Sequence, residues 1–443
     1  MRTLLIAPAW HSPLRDGAQK RKALFPPLAL PMLAALTPEN VDVRLVDEAV
    51  EPVDLADDVD LVGVSAMTAQ APRAYEIADA FRSRGVKVVL GGMHPSALPQ
   101  EAIQHADAVV VGEAEAAWPR VVEDVRSLQL QRLYGGNGRP DPAEIPVPRR
   151  SLLKQDAYVT TALVQASRGC PFACSFCAVS NFFGRTYRFR PVEKVIEEVA
   201  ALKDRVVVFV DDNIMGAPAY AKELFECLAG LGKQWFGQAS VTMLKDPDLL
   251  RSATRSGCKG LLVGLESLSQ ATLTRWGKTF NAAANYREVI RRLHDFGIGV
   301  IGSFMFGADK DDSDVFERTV EFVGRSHLDA AQFSILTPLP GTRLYQEMER
   351  DERLIERDWA RYNGGHVVFR PRRMSVEKLE EGFHWALGQV YSLRGILRRT
   401  WDGWLRRPLF GRVNLAFRRR VQAYLRRSDA TSAGREVKTR WAS

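Results

Sequence analysis

The run Ser167-Arg168-Gly169-Cys170-Pro171-Phe172-Ala173-Cys174-Ser175-Phe176-Cys177 sets three thiols at a C-x3-C-x2-C spacing, with no fourth ligand nearby. Three thiolates this close can hold three irons of a cubane 4Fe–4S cluster and leave the fourth iron open to a small chelating molecule. A structural zinc knuckle is the competing reading. It wants four closed ligands, usually as two pairs. Cys227 and Cys258 lie 50 and 81 residues beyond Cys177, and no histidine falls between His105 and His294. These two cysteines read as ordinary buried or helix-face thiols.

Outward from this run, short apolar strands alternate with helices over residues 158–345. Strands are expected at Ala162–Ala166, Val206–Val210, Trp235–Ser240, Gly260–Leu265, Gly299–Phe304 and Ala331–Leu336, with a helix at Pro191–Lys203. Polar groups follow several of them, at Asp211-Asp212-Asn213, Ser240 and Glu266-Ser267. Barrel enzymes place their chemistry at the carboxyl ends of strands. Adjacent acids after a valine-rich strand are costly to bury without a partner, whereas Asn213 also suits a helix N-cap.

The cysteine triplet and the six βα units resemble the radical S-adenosylmethionine (SAM) enzymes. The resemblance implies a partial (β/α)6 TIM barrel, a 4Fe–4S cluster on Cys170, Cys174 and Cys177, and SAM chelated to the open iron through its amino and carboxylate groups. One electron then cleaves the sulfonium and yields a 5′-deoxyadenosyl radical. The resemblance further implies that Phe176 packs over the adenine and that Asp211, Asp212 and Asn213 hold the amino group. Glu266 resembles the family's G-x-E-S segment, its alternative role being a pair with a nearby arginine. Gln238 and Ser240 alternate on the third strand and can face the barrel interior. The run Gly297-Ile298-Gly299-Val300-Ile301-Gly302 resembles the fifth-strand motif near the adenine, with Gly302 as the contact.

Residues 1–134 repeat the alternation. Strands are expected at Thr3–Ala7, Val41–Val46, Leu61–Ser65, Val86–Leu90 and Ala108–Val111, with helices at Leu28–Leu36, Ala71–Arg84 and Ala116–Val125. That pattern gives an α/β, doubly wound parallel sheet of the flavodoxin or Rossmann kind, with ligands beyond the carboxyl ends of the strands. The turn Gly91-Gly92-Met93-His94-Pro95-Ser96, with Pro26–Leu30 and Val111-Gly112-Glu113-Ala114-Glu115, resembles the cobalamin-binding domain fused to many radical SAM enzymes. The resemblance assigns cobalamin contacts to Pro8, Trp10, Ser65, Met67, Thr68, Gly91, Gly92, His94, Gly112 and Glu113. The first loop, Ala9-Trp10-His11-Ser12-Pro13-Leu14, departs from the D-x-H-x-x-G of mutase-type domains. His11 is therefore expected to be a loop residue, with Trp10 or another side chain covering the lower face of the cobalt.

Gly135-Gly136-Asn137-Gly138-Arg139-Pro140 opens a turn-rich linker over 135–157. Beyond 345 a C-terminal extension, 346–443, is expected to hold helices at Leu344–Arg357 and Ser375–Tyr391 and an edge strand at Tyr362–Phe369. A chain of 443 residues exceeds one ordinary domain. Five cysteines, three in one motif, speak for a reducing cytoplasm rather than a disulfide framework. The start reads as a strand and not as a signal peptide. The longest apolar stretch, Ala23–Leu36, is broken by three prolines and is too short to span a bilayer.

The net charge of +8 resides in the tail: Arg394–Arg427 holds eleven arginines against Asp402, while residues 1–393 carry a net −3. The body lacks the basic stripe that nucleic-acid binding requires. Tail aromatics (Trp401, Trp404, Phe410, Phe417, Tyr424) among arginines fit either an interfacial membrane segment or a helix pair docked on the acidic body. The resemblance thus implies a cobalamin-dependent radical SAM methyltransferase acting on an unactivated carbon, expected in the cytoplasm, with peripheral membrane contact as one of the two roles open to the tail. The substrate is expected to be a hydrophobic small molecule (a lipid or a tetrapyrrole), and the electron donor an external flavodoxin or ferredoxin. Two alternatives share most of this machinery: cyclising, ring-rearranging or oxidative radical chemistry, or a first domain that binds no corrin.

Overall fold

The computed structural model describes residues 1–10, 22–135, 138–400 and 408–440, with side chains as far as Arg426. His11, Gly136, Asn137, Trp401 and Trp404 lie outside the described residues.

Six parallel strands form the first sheet: β1 (Arg2–Ala7), β2 (Asp42–Asp47), β3 (Leu61–Ser65), β4 (Lys87–Gly91), β5 (Ala108–Val111) and β6 (Leu133–Gly135), in the order β2-β1-β3-β4-β5-β6. Successive strand residues enter opposite cores, as the period of two demands. Leu4, Ile6, Val62, Val64, Val88 and Leu90 meet Ile77 and Phe81 on one face. Leu5, Ala7, Val89 and Val110 meet Leu30, Trp118 and Val122 on the other. The strand order reverses beside β1, which opens a crevice at the carboxyl ends. The short strand β6 was not expected from the sequence; it extends the sheet into the linker's first residue.

The second sheet is built from β7 (Leu163–Val164) through the excursion β8 (Ser167–Arg168) and β9 (Arg188–Phe189), then β10 (Val206–Phe209), β11 (Gln234–Ala239), β12 (Cys258–Glu266), β13 (Gly299–Phe306) and β14 (Ala330–Ile335). Its order is β14-β13-β12-β11-β10-β7, all parallel, and its edge strands do not pair with each other. The result is an open six-stranded partial barrel with helices outside. β7 is shorter than expected because the chain turns at Gln165–Ala166 into β8, which pairs antiparallel with β9 instead.

The edge strand expected at Tyr362–Phe369 does not form. Gly364 takes φ +76°, and only an isolated bridge between Leu354 and Phe369 remains. The helix Val376–Val390 starts where Ser375 Oγ accepts from the Lys378 amide at 3.1 Å.

Helices Leu393–Thr400 and Pro408–Arg440 dock under the barrel. Phe410, 4% exposed, enters the barrel floor against Gly260 and Gly299, where any Cβ would collide with its ring. Arg399 is buried and donates to Val390 O and Asn414 Oδ1, while Asn414 Nδ2 donates to Asp329 O at 2.7 Å. Phe417 stacks on Tyr391 with centroids 5.5 Å apart, and Tyr424 OH meets His384 Nε2 at 2.8 Å. Phe410, Phe417 and Tyr424 are thus spent on the body.

Candidate active site

The three cysteines sit on the loop between β8 and β9, above the carboxyl ends of the barrel strands. Gly169 (φ +84°) and Gly184 (φ +91°) let the loop close on itself, and Cys170 N donates to Gly184 O at 3.3 Å. A Cβ on Gly169 would collide with Thr186 O. Aromatic stacking holds the loop down: Phe172 lies on Phe280 at 3.8 Å and Phe176 meets Trp276 edge-on at 5.4 Å. Burial raises all three thiols, Cys177 to about 11, and the neighbouring sulfurs raise Cys174 and Cys177 further. Thiolates here therefore need a cation. Among the described residues no three Cys, His, Asp or Glu side chains converge on a single ion. A cubane takes one iron per thiolate, so three thiolates occupy three of its four irons.

The strand-end residues divide. Asp211 is fully buried, and its carboxylate accepts from Ser167 N (2.5 Å), Ser167 Oγ (2.6 Å) and Ala166 N (3.1 Å). Its oxygens anchor β8, so the expectation that Asp211 contacts SAM is corrected. Asp212 is different: Oδ2 is buried with no hydrogen-bond partner. Burial, then the Asp211 charge, pushes its carboxyl up to about 7, against the pull of Arg168. Asn213 donates to Tyr187 OH (2.9 Å) and Ser240 Oγ (3.1 Å) and accepts from Ser240 N (3.1 Å), so these two form one network. Gln238 is exposed on β11, on the side away from Trp235, which stacks on the outer helix residue Phe225.

Glu266 has the left-handed φ of +67°, rare for a residue with a Cβ, and accepts from Lys278 Nζ at 2.6 Å. Its partner is a lysine twelve residues on, not an arginine. At Gly302 an added Cβ would meet Leu328 and Leu265 on the helix side of β13, so this position directs no side chain into the barrel. Ile301, Ser303 and Met305 alternate with it and take the inward positions.

Two cavities lie over the first sheet. One, of about 380 Å³, is lined by Ser65, Met67, Gly91, Gly92, Gly112 and Glu113, by Leu28, Met32 and Trp118, and by Gln165, Arg168, Phe182 and Phe183 from the barrel side. Space is open beside Gly112 (φ +84°), where an added Cβ would meet no heavy atom within 4 Å. The other, of about 330 Å³, holds Trp10, Met67, Thr68, Phe176, Met305 and Tyr362. Met67 and Met93 line both.

Pro8 lines neither; its carbonyl accepts from Gln70 Nε2 at 2.6 Å. His94 also lines neither. Its fully buried ring meets Tyr75 OH (3.1 Å) and Glu101 Oε1 (3.2 Å) and lies edge-on to Trp359 at 5.2 Å. The side-chain contact expected of His94 is therefore corrected: the two glycines of the turn face the cavity, and the histidine faces the core.

The family model "Radical SAM superfamily" matches residues 164–323, and "B12 binding domain" matches residues 15–122. The chain is 32% identical to bacteriochlorophyllide d C-12(1)-methyltransferase of Chlorobaculum tepidum, over 85% of both chains. It is also 32% identical to the C-8(2)-methyltransferase of that organism, over 87% of this chain and 89% of the relative. The chain belongs to the cobalamin-dependent radical SAM enzymes. The structure of the radical SAM methyltransferase TsrM from Kitasatospora setae, with cobalamin and a 4Fe-4S cluster bound, has the same fold. Its TM-score is 0.66 at 16% identity, over 98% of this chain and 99% of that one.

This cobalamin-dependent radical SAM enzyme is of the methyltransferase class, and its cofactors are a 4Fe–4S cluster, SAM and cobalamin. The residues present fit these groups. The partnerless Asp212 oxygen suits an ammonium, the raised thiols suit iron, and the open space at Gly112 suits a close-lying large ligand. Sequence reasoning missed Arg168, Tyr187, Trp276 and Lys278. Arg168 was legible within the cysteine run. Tyr187 ends the same loop just before β9, while Trp276 and Lys278 are joined to the site only by the folding of a distant segment.

Proposed function

We propose that this enzyme methylates an unactivated carbon of a hydrophobic substrate whose reacting part is uncharged, a tetrapyrrole before a lipid. One observation carries the reading: among the described residues, the lining of the 330 Å³ chamber between the first sheet and the barrel mouth includes no Asp, Glu, Lys, Arg or His. A charged group there would lose its hydration without a partner. Met67, Met93 and Met305 instead offer an adaptable apolar wall, with Trp10 and Phe176 beside them. The bacteriochlorophyllide d methyltransferases among the relatives support a tetrapyrrole.

In this reading Cys170, Cys174 and Cys177 hold the cluster, and Asp212 and the Asn213–Ser240 pair hold the polar end of SAM. The loops at Ser65, Gly91, Gly92 and Gly112 cradle cobalamin. Bound together, the three cofactors supply hydrogen-atom abstraction and methyl delivery. The chain's own part is to exclude water and to fix the acceptor carbon between them, with Phe176 on the barrel side and Met67 and Met93 on the other.

A flavodoxin or ferredoxin serves as electron donor. The C-terminal extension rests on an anionic membrane surface in the cytoplasm, where such substrates partition. Its outward positions support this: Leu393, Leu397, Leu409 and Leu415 are exposed beside exposed Arg394, Arg398, Arg412 and Arg419. No helix among the described residues is long and apolar enough to cross a membrane.

The test is anaerobic turnover with methyl-labelled SAM, hydroxocobalamin, reductant and a bacteriochlorophyllide acceptor. Label in the product supports the reading. Deoxyadenosine with an unlabelled, cyclised or oxidised product would overturn it. Flotation with phosphatidylglycerol vesicles, lost in L397E/L415E, tests the membrane contact; equal flotation of the variant defeats it.

A further inference from the structure

At the neck of the cysteine loop, Arg168 of β8 and Arg188 of β9 are register partners on a two-stranded antiparallel ladder. Like charges directly opposite each other destabilise such a pair, and water screens these little, their side chains being 7% and 15% exposed. The opposition is resolved from the other domain. Glu113, on the loop after β5, is 3% exposed and accepts from Arg168 Nη1 through Oε2 at 2.6 Å and from Arg188 Nη2 through Oε1. Arg168 Nη2 also reaches Glu115 Oε1 at 2.5 Å. Both oxygens of Glu113 are thus committed to the barrel domain, although the residue borders the 380 Å³ cavity.

A buried ionic network of this kind adds little net stability, because desolvation offsets the attraction, and its best-attested use is to fix register. Here the register lies between two domains. Arg168 is two residues from Cys170, and the other side of β8 is pinned by Asp211 through Ser167. We infer that Glu113 is a positioning residue, a clasp that closes the neck of the cysteine loop and sets that loop's position against the cobalamin-binding domain. The inference rests on the cluster ligation proposed above. It removes Glu113 from the corrinoid contacts expected from the sequence.

The test uses the full chain, reconstituted anaerobically with iron and sulfide. Hydroxocobalamin affinity is read by titration, the reduced cluster by electron paramagnetic resonance with and without SAM, and SAM cleavage by deoxyadenosine. E113Q is expected to keep hydroxocobalamin affinity within about threefold, a change too small for a lost charged contact. It should alter the cluster spectrum and cut deoxyadenosine formation by about 10- to 100-fold, the usual effect of removing a residue that orients metal ligands. Adding R188Q to E113Q should recover part of that loss, since it removes one of two unopposed cations.

A fall in hydroxocobalamin affinity of about tenfold or more with an unchanged cluster spectrum would make Glu113 a corrinoid contact and end the proposal. So would an E113Q enzyme unchanged in every readout, or a double variant worse than the single. If E113Q does not fold, R188Q alone carries the test: altered cluster spectrum with intact hydroxocobalamin binding supports the clasp, and an unaltered spectrum defeats it. A cluster retained in full by C177S would instead sink the ligand assignment.

Discussion

Lys278 Nζ lies 2.6 Å from Glu266 Oε1, in a pair whose side chains are 9% and 11% exposed. The pair sits beside the cysteine loop, where the lysine lowers and the glutamate raises Cys174. Gly264 makes room for it, since a Cβ there would collide with Glu266 Oε1 and come within 2.7 Å of Lys278 Nζ. Removing one partner strands a buried charge. K278M should therefore cost about 3–5 kcal/mol, and E266Q/K278M should recover part of it. Urea unfolding of the three proteins checks the order.

The floor of the barrel yields a second expectation. F410A deletes a ring packed among Gly260, Gly299 and Phe236 and leaves a hole that rigid strands cannot collapse, costing about 3–5 kcal/mol. G299A should be damaging for the opposite reason, as its methyl would overlap the Phe410 ring. Thermal unfolding of each variant is the check.

Acid should loosen the contact between the first sheet and the segment around Trp359. Burial holds the His94 imidazole below its ordinary value, against the pull of Glu101. Tyr75, Glu101 and Trp359 face it, and His105 stacks on Tyr75. Folded His94 thus stays neutral where an unfolded histidine, at about 6.5, takes up a proton. Its contribution is complete above that pH and is lost as the pH falls below it. The thermal midpoint should drop between pH 7.5 and 5.5, and less so in H94N. Equal slopes for the two proteins would remove His94 from this role.

Stripping iron should separate the two halves of the site. An anaerobic chelator is expected to abolish the cluster absorbance and SAM cleavage. Hydroxocobalamin binding should survive, because most of the 380 Å³ cavity is walled by the first sheet and its loops. Spectra before and after chelation measure both.

Both sheets were legible because their strands are short apolar runs with polar or glycine stops, and local chemistry sets such patterns. The cysteine loop was legible for the same reason: its spacing is local. What escaped the sequence was direction. His94, Asp211 and Gly302 stand in recognisable motifs, yet each points away from the cavities, because a loop's exit angle depends on what it packs against. Gly299 stands in a run that reads as a binding motif, whereas its smallness, like that of Gly260, serves Phe410, more than a hundred residues later. The Glu113–Arg168–Arg188 contact joins two motifs that look independent, and nothing local to either announces it.

Phe410 is synthesised after every strand it closes. A nascent chain can lay down all six barrel strands and the cysteine loop before the residue that seals their lower end exists. Gly260, Gly299 and Phe236 stay uncovered until the last helices swing in beneath. Completion of the barrel floor is on this geometry an event that waits for the tail.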